Sequence, residues 1–219
     1  VCGLRTSLAN FREALALNHL ETDRFLHSAY AAGLACLNAE ERDLGSVIVD
    51  MGGGTTSIAI FMEGKLVYVD TINIGGNRVT TDIARVLSTP IADAERLKAI
   101  DGSVMPTEVN GLAPEPLREV VRLGRSDNIT IPALGNTTEV AGQTIERTLL
   151  SAIIRPRVEE TLELLHDRMA GARMEHTAGS RYVLTGGASQ LTGLADLFAK
   201  QAQKSVGIGK PIGITGLNE

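Results

Sequence analysis

The chain has 219 residues, of which 43% are hydrophobic, and it carries 21 basic and 26 acidic residues. This composition supports one large or two small globular domains and excludes an intrinsically disordered chain. The formal net charge is -5 and no basic run exceeds two residues, which disfavours nucleic-acid binding. No apolar run approaches the roughly 18 to 20 residues that a membrane-spanning helix needs, and no signal peptide opens the chain.

The first residue and the cysteines add two expectations. The chain begins with Val1 rather than Met, so we predict a fragment of a longer protein. Cys2 and Cys36 lie far apart and form no C-x-x-C motif, which favours buried, reduced thiols over a disulfide or a metal site. Reduced cysteines indicate a cytoplasmic setting.

Two helices are predicted before the first strand. Apolar residues at helical spacing in 6–20 predict an amphipathic helix. The alanine-rich stretch 24–38 predicts a second helix that packs closely against a neighbouring backbone. Three antiparallel strands then follow in direct succession, and Glu63-Gly64-Lys65 is predicted to form the tight turn between the second and the third.

The segment after the first of these strands combines an acidic residue with glycines and threonines. It contains Asp50, Met51, Gly52, Gly53, Gly54, Thr55 and Thr56. Phosphate oxygens approach glycine backbone closely, successive N–H groups form an anion cradle, and the threonine hydroxyls add donors. Asp50 is suited to hold Mg²⁺ through a water molecule. The segment predicts a phosphate-binding turn, and an ordinary glycine-rich turn between two strands is the alternative.

A second glycine pair, Gly75-Gly76, follows the third strand and opens a helix with Ile83 and Leu87 on one face. The N-terminus of a helix attracts anions, so this turn is a second candidate for phosphate contact. Pro90 is predicted to close the helix. The next predicted helix begins at Asp93 and places Glu95 and Lys98 three residues apart, either as nucleotide contacts or as an exposed ion pair.

A third glycine pair, Gly186-Gly187, follows a predicted strand at 182–185 and precedes Ser189 and a further helix. A strand, two glycines and a helix indicate only that a backbone passes close to a ligand or to a packed helix. Three such turns in one short chain favour a single shared ligand.

The pattern loosens over 102–136, where prolines and turn residues predict a small second subdomain. Short strands are predicted there at 120–123 and 128–131. A helix is predicted over 143–154, and Pro156 is predicted to kink or restart it because proline lacks an N–H and disfavours helical geometry in the residue before it.

In this order the motifs resemble the actin-like ATPase superfamily, and within it the bacterial cell-division family FtsA. The turn after Asp50 looks like the second phosphate motif of the superfamily, and the segment from Leu184 to Leu194 looks like its adenosine motif. Closer details are Asp43-Leu44-Gly45, Val79 to Ala84, Asp93-Ala94-Glu95, Arg155-Pro156-Arg157, Ile208 to Pro211 and Thr215 to Leu217. The resemblance covers essentially the whole chain and is weakest between 102 and 142.

The resemblance implies an α/β fold: an actin-like (ribonuclease H-like) lobe with a mixed five-stranded sheet flanked by helices, and a small α+β second subdomain. Residues 1–42 would end the first lobe and include a connecting helix. Residues 43–101 and 180–219 would form the nucleotide-binding subdomain 2A, and residues 102–179 the partner-binding subdomain 2B.

The resemblance also implies ATP and Mg²⁺ as cofactors. Asp50 would lie near Mg²⁺, and Glu95 with Lys98 at the ribose and adenine. Gly186 and Gly187 would lie behind the adenosine. The full set of implied cofactor contacts is Asp50, Gly52, Gly53, Gly54, Thr55, Thr56, Gly75, Gly76, Glu95, Lys98, Gly186, Gly187 and Ser189.

Partners follow from the same resemblance. The family anchors the division ring to the cytoplasmic side of the cell membrane by binding the C-terminal tail of the tubulin-like protein FtsZ on the smaller subdomain. Arg157 is expected either to pair with an acidic tail or to form a structural salt bridge. Self-association into filaments and contact with other septal division proteins are also implied. Membrane contact would require an amphipathic helix after Glu219.

Two departures from the family pattern bear on chemistry. The first phosphate motif is missing, so this segment alone is expected to bind nucleotide weakly or not at all. Hydrolytic relatives place Glu or Gln on the helix before Asp50 to orient the attacking water, whereas residues 26–30 offer only His27, a residue more typical of a surface or a helix cap. We assign no catalytic residue and predict at most a slow ATPase, with nucleotide acting as a switch.

Three other functions were weighed. A sugar or acetate kinase of the same superfamily would need a base beside an acceptor pocket, and no spare acid stands near the glycine turns. A chaperone ATPase would carry a glutamate before the Asp50 strand and a long extension. A pilus-assembly module with an actin-like fold stays open.

Overall fold

The computed structural model describes residues 5–105, 128–131, 143–174 and 181–213. Their centre is a mixed sheet of five strands: β1 (Ser46–Met51), β2 (Thr56–Met62), β3 (Lys65–Ile72), β6 (Arg181–Thr185) and β7 (Ser205–Ile208). The strand order is β3-β2-β1-β6-β7. Strand β1 pairs antiparallel with β2 and parallel with β6, while β2 with β3 is antiparallel and β6 with β7 is parallel.

A separate two-stranded sheet joins β4 (Asn128–Ile131) to β5 (Gln143–Glu146). The helices are α1 (Arg5–Ala16), α2 (Ser28–Cys36), α3 (Ala39–Leu44), α4 (Gly76–Leu87), α5 (Ile91–Asp101), α6 (Arg147–Gly171) and α7 (Leu194–Ala202), and a short 3-10 helix spans Gly187–Gln190. The predicted mixed sheet of five strands flanked by helices is confirmed.

Side chains alternate between the two faces of the sheet and build two cores. Val47 and Val49 of β1 point to one face, where they pack with α4, α5, α6 and α7. Ile48 points to the opposite face and packs with Ala29 and Cys36 of α2. Both faces of β1 are therefore covered, which explains its continuous apolar run.

Helix α6 starts later than predicted, and of the two effects predicted for Pro156, a kink or a restart, the restart does not occur. Residues Gln143–Glu146 form strand β5, and the helix starts only at Arg147. The helix then continues through Pro156 to Gly171 without restarting. The apolar side of the helix packs into the same core as the sheet, and this packing holds the helix in place. The buried residues of the helix are Leu150, Ser151, Ile154, Val158, Thr161, Leu162, Leu165 and Met169.

Three helix boundaries also differ. The second predicted helix, 24–38, is shorter in the structure: His27 caps the start of α2, which ends at Cys36, and Asn38 begins the separate helix α3 with a capping box to Glu41. Helix α4 ends at Leu87, where Ser88 adopts the left-handed conformation, so Pro90 does not close it. Pro90 instead occupies the cap position that opens α5.

Some predictions lie outside the described residues, namely Cys2 and the strand predicted at 120–123. Within the described residues Cys36 is a free, buried thiol, as predicted. The predicted turn at Glu63-Gly64-Lys65 and the strand at 128–131 are confirmed. None of the described helices combines the length and the hydropathy required to cross a membrane.

Candidate functional site

The three glycine turns meet at the carboxyl end of β1. The N–H of Gly76 donates to the carbonyl of Gly52 at 2.9 Å, and the N–H of Asn77 donates to that of Gly53 at 2.8 Å. A Cβ on Gly186 would lie 2.5 Å from the Met51 carbonyl oxygen. The three turns therefore lie together in the fold, and the single ligand that they are expected to share stays a prediction.

Residues 53–55 form the exposed tip of the first turn. In the described part of the chain, the N–H groups of Gly53, Gly54 and Thr55 donate to no protein acceptor, whereas the N–H of Gly52 closes the turn onto the Thr55 carbonyl at 2.9 Å. A Cβ at Gly54 or Gly187 would meet no protein atom within 4 Å. Successive free N–H groups beside open space form the kind of cradle that binds an anion.

Asp50 lies at the end of β1, next to this cradle, and is half-buried. Its Oδ1 lies 2.8 Å from the position that a Cβ on Gly186 would occupy, so glycine is needed there. Among the described residues no cluster of three or more acidic, histidine or cysteine side chains could hold a metal by itself. A single carboxylate fits Mg²⁺, which keeps several waters and shares phosphate oxygens with its nucleotide.

Two of the residues predicted to contact the ligand, Thr56 and Ser189, form hydrogen bonds within the protein. Thr56 is fully buried, and its hydroxyl donates to the Ile74 carbonyl at 2.8 Å. Ser189 is 2% exposed, and its hydroxyl donates to the Gly186 carbonyl at 2.7 Å. In this structure each hydroxyl donates to a backbone carbonyl of a glycine turn or its neighbour, and the ligand contacts expected of Thr56 and Ser189 stay predictions.

The second glycine pair packs against the first turn. The N–H groups of Gly76 and Asn77, at the start of α4, already donate to the carbonyls of the first turn. Gly75 and Gly76 are buried, and a Cβ on Gly75 would lie 2.5 Å from the Gly52 carbonyl oxygen. These glycines let two backbones pack together, and the phosphate contact expected of them stays a prediction.

Glu95 and Lys98 form a compact network above the second glycine pair. Lys98 Nζ donates to Glu95 Oε2 at 2.7 Å, to Thr80 Oγ1 at 2.9 Å and to the Gly76 carbonyl at 3.2 Å. Burial raises the pKa of Glu95, but hydrogen bonds from Lys98 and Thr80 outweigh it and leave that pKa below its ordinary value. The network ties α5 to the start of α4, while the Glu95 side chain remains 52% exposed.

Arg157 is engaged within the protein. Its Nε donates to Asp82 Oδ2 at 2.6 Å, and its Nη1 also pairs with Glu160. The hydrogen bond to Asp82, together with both acidic neighbours, raises the pKa of the Arg157 guanidinium despite partial burial. The structural salt bridge is therefore present, and the expected role of Arg157 in binding a partner stays a prediction.

A polar row beside Asp50 was missed by the sequence analysis. Ser57 pairs in register with Asp50, and Thr71 pairs with Ser57. Other polar residues stand next to both, Thr56 before Ser57 and Asp70 before Thr71, so the row becomes visible only once the strand register is known. His27 contacts this row, with its Nε2 3.0 Å from Thr71 Oγ1. It also caps the start of α2, which is one of the two ordinary roles expected for this residue.

Comparison with known proteins identifies relatives along nearly the whole chain. A family model described as Cell division protein FtsA matches residues 47–219. Cell division protein FtsA of Rhizobium meliloti (strain 1021) is 42% identical over 213 residues, covering 97% of this chain and 45% of the relative. The protein of the same description from Escherichia coli (strain K12) is 31% identical over 217 residues, covering 96% and 48%. The chain thus spans about half the length of these relatives.

Solved structures establish the fold class. MreB5 of Spiroplasma citri bound to ADP aligns with a TM-score of 0.71 at 17% identity, covering 95% of this chain and 61% of that one. The PilM-PilN type IV pilus biogenesis complex aligns with a TM-score of 0.60 at 22% identity, covering 92% and 46%. The fold is therefore actin-like, as predicted. At these identities the alignments do not separate one actin-like function from another.

Proposed function

Because this chain belongs to the FtsA family of cell-division proteins, we propose that it supplies the ATP-binding lobe of a scaffold that links the FtsZ ring to the cytoplasmic membrane. The meeting of the three glycine turns at the end of β1, beside the free N–H groups of residues 53–55, carries this proposal. Such a cradle suits a chain of phosphates.

The residues present fit Mg·ATP in the following way. Gly53, Gly54 and Thr55 offer N–H groups to the phosphates, and the open side of Gly187 leaves room for the nucleoside. Asp50 would hold Mg²⁺ through water, and the ion would neutralise phosphate charge. Glu95 is the exposed polar group suited to the ribose, with Lys98 fixing its carboxylate.

Nucleotide acts as a switch for self-association into filaments, with slow or no hydrolysis. The start of α2 presents His27 toward the sheet rather than a carboxylate or an amide, and that imidazole is already engaged by Thr71 and the α2 cap. A water-orienting group of the usual type is therefore missing from this element.

The lobe is built on residues 43–101 and 180–219, and the insertion between them binds the FtsZ tail. Helix α6 shares the core of the sheet, so its exposed outer face is the part of this helix that remains available to a partner. We place the protein at the inner face of the membrane at the division site, in contact with other division proteins.

The test measures binding of a fluorescent ATP analogue to the complete polypeptide of which this chain is part. We expect Mg²⁺-dependent binding that Asp50→Asn and Gly54→Val each weaken about tenfold or more, the effect of removing the ion contact or filling the cradle. Gly54→Val should fold normally, because its side chain enters open space. Glu163→Gln on the exposed face of α6 is the matched control and should bind like the wild type.

Absence of binding by the folded wild type would refute the ATP-binding proposal. Equal binding by wild type and Gly54→Val would show that nucleotide binds elsewhere on the protein.

A further inference from the structure

A row of polar side chains crosses the α2 face of the sheet at Asp50. Asp50 pairs in register with Ser57 on β2 and with Thr185 on β6, and Ser57 pairs with Thr71 on β3. Residues paired across strands share one face of a sheet. The next row on this face is apolar and includes fully buried Ile48. The polar row is thus confined to the edge that carries the site.

One end of the row is tied to the first turn of α2. His27 Nδ1 accepts the N–H of Ala29 at 3.3 Å, so a neutral imidazole carries its hydrogen on Nε2. Nε2 lies 3.0 Å from Thr71 Oγ1 and donates to it. Within the described chain the Thr71 hydroxyl has one further partner, Ser57 Oγ at 2.9 Å, to which it can give its own hydrogen.

We propose that Ser57 is a positioning residue of the nucleotide site, and that His27 and Thr71 orient its hydroxyl toward Asp50. The hydrogen-bond chain runs from Nε2–H of His27 to Thr71 and from Thr71 to Ser57. The hydrogen of Ser57 is then left to point along the row, toward the Asp50 carboxylate or the oxygen of a water molecule that this carboxylate would share with Mg²⁺. Ser57 is 3% exposed, so protein partners rather than bulk solvent set its direction.

This inference rests on the proposed function, so its test has one arm that needs no nucleotide. Nitrogen-15 NMR of the chain labelled at histidine reports which ring nitrogen of His27 carries the hydrogen. We expect the Nε2–H tautomer. With the Nδ1–H tautomer, Nε2 would accept a hydrogen from Thr71 instead of donating one, and this would overturn the proposal.

The second arm compares binding of the fluorescent ATP analogue with and without Mg²⁺ to the complete polypeptide. Ser57→Ala and Thr71→Val should each reduce the gain in affinity that Mg²⁺ provides by about fivefold, the effect of one lost hydrogen bond. Because Ser57 and Thr71 act through the same series of hydrogen bonds, the double variant should lose no more of the Mg²⁺-dependent affinity than either single variant. Thr71→Ser keeps the hydroxyl and should retain the Mg²⁺ effect.

The outcomes separate this inference from the function on which it rests. A purely structural role would lower the melting temperature and weaken binding equally with and without Mg²⁺, which would overturn the inference alone. An unchanged Mg²⁺ effect in Ser57→Ala would do the same. If the wild type binds no nucleotide, the proposed function fails and the positioning role fails with it, whatever tautomer His27 shows.

Discussion

Two independent features require glycine at position 186: the backbone conformation and the close packing of neighbouring atoms. Its φ of 86° and ψ of 163° lie in a region that only glycine adopts without strain. A Cβ would also lie 2.5 Å from the Met51 carbonyl oxygen, an atom of β1 that cannot move aside. We expect Gly186→Ala to lower the free energy of unfolding by roughly 2 to 4 kcal/mol, measured by urea denaturation.

The neighbouring glycine supplies the control for this prediction. A Cβ on Gly187 would meet no protein atom within 4 Å, so Gly187→Ala should change stability by less than about 1 kcal/mol. Equal losses in the two variants would mean that the third glycine turn needs flexibility rather than close approach to β1.

Glu95 makes a small contribution to stability whose pH dependence has a definite sign. Its folded-state pKa is lowered, so the stabilisation is complete above the pKa of the unfolded chain and is lost as pH falls through the folded value. Glu95→Gln should therefore be less stable than the wild type at pH 7 by a few tenths of a kcal/mol, because the side chain is half exposed. The difference in urea midpoint between the wild type and Glu95→Gln should be smaller at pH 3 than at pH 7. A difference that does not change with pH would exclude an ionic origin.

Local sequence was sufficient to predict residues whose role depends on their immediate neighbours. Asp50 lies near the end of β1, and Gly52, Gly53 and Gly54 lie in the turn that follows it, as their order indicates. Thr56 and Ser57 are adjacent to that turn, yet one supports the Ile74 carbonyl and the other joins a cross-strand row. Both roles depend on which strand residues lie opposite each other, and a single sequence without known register does not contain that information.

Helix α6 tolerates a proline that its geometry does not require. Proline in a helix interior removes one hydrogen bond and costs about 3 kcal/mol relative to alanine. Pro156 is exposed, so its ring contributes little to the core that holds the helix. Pro156→Ala should therefore raise the free energy of unfolding by about 1 to 2 kcal/mol, measured by thermal and urea unfolding.

A control on the same helix separates this effect from general helix propensity. Glu163 is exposed, and Glu163→Ala should leave stability within about 0.5 kcal/mol of the wild type. A loss of stability in Pro156→Ala would show that the proline sets a bend that the core needs.

The elements show which boundaries a sequence can and cannot define. Asn38 and Glu41 form a capping box whose spacing was readable, and it marks a helix start that periodicity alone concealed. Gln143–Glu146 gave no comparable signal, because four residues suit a helix or a strand equally well. This segment forms a strand because it pairs with Asn128–Ile131, and such pairing depends on the tertiary fold.

At the scale of the whole molecule, ion pairs tie α6 to the sheet and to two of the helices around it. Arg147 pairs with Asp101 at the end of α5, Arg157 with Asp82 on α4, and Arg168 with Asp70 on β3. One helix thus reaches three other elements. Since α4 also begins at the second glycine pair, a single helix lies between Arg157 and the candidate site.

This arrangement makes the proposed binding of the FtsZ tail testable without ambiguity. An acidic tail can reach Arg157 only in competition with Asp82, which already holds its guanidinium. We expect Asp82→Asn to strengthen binding of a labelled tail peptide about threefold or more, and Arg157→Ala to weaken it tenfold, measured by fluorescence anisotropy on the complete polypeptide. If Arg157 serves only as a structural salt bridge, both variants should lose stability and neither should change peptide affinity, which would move the partner surface away from α6.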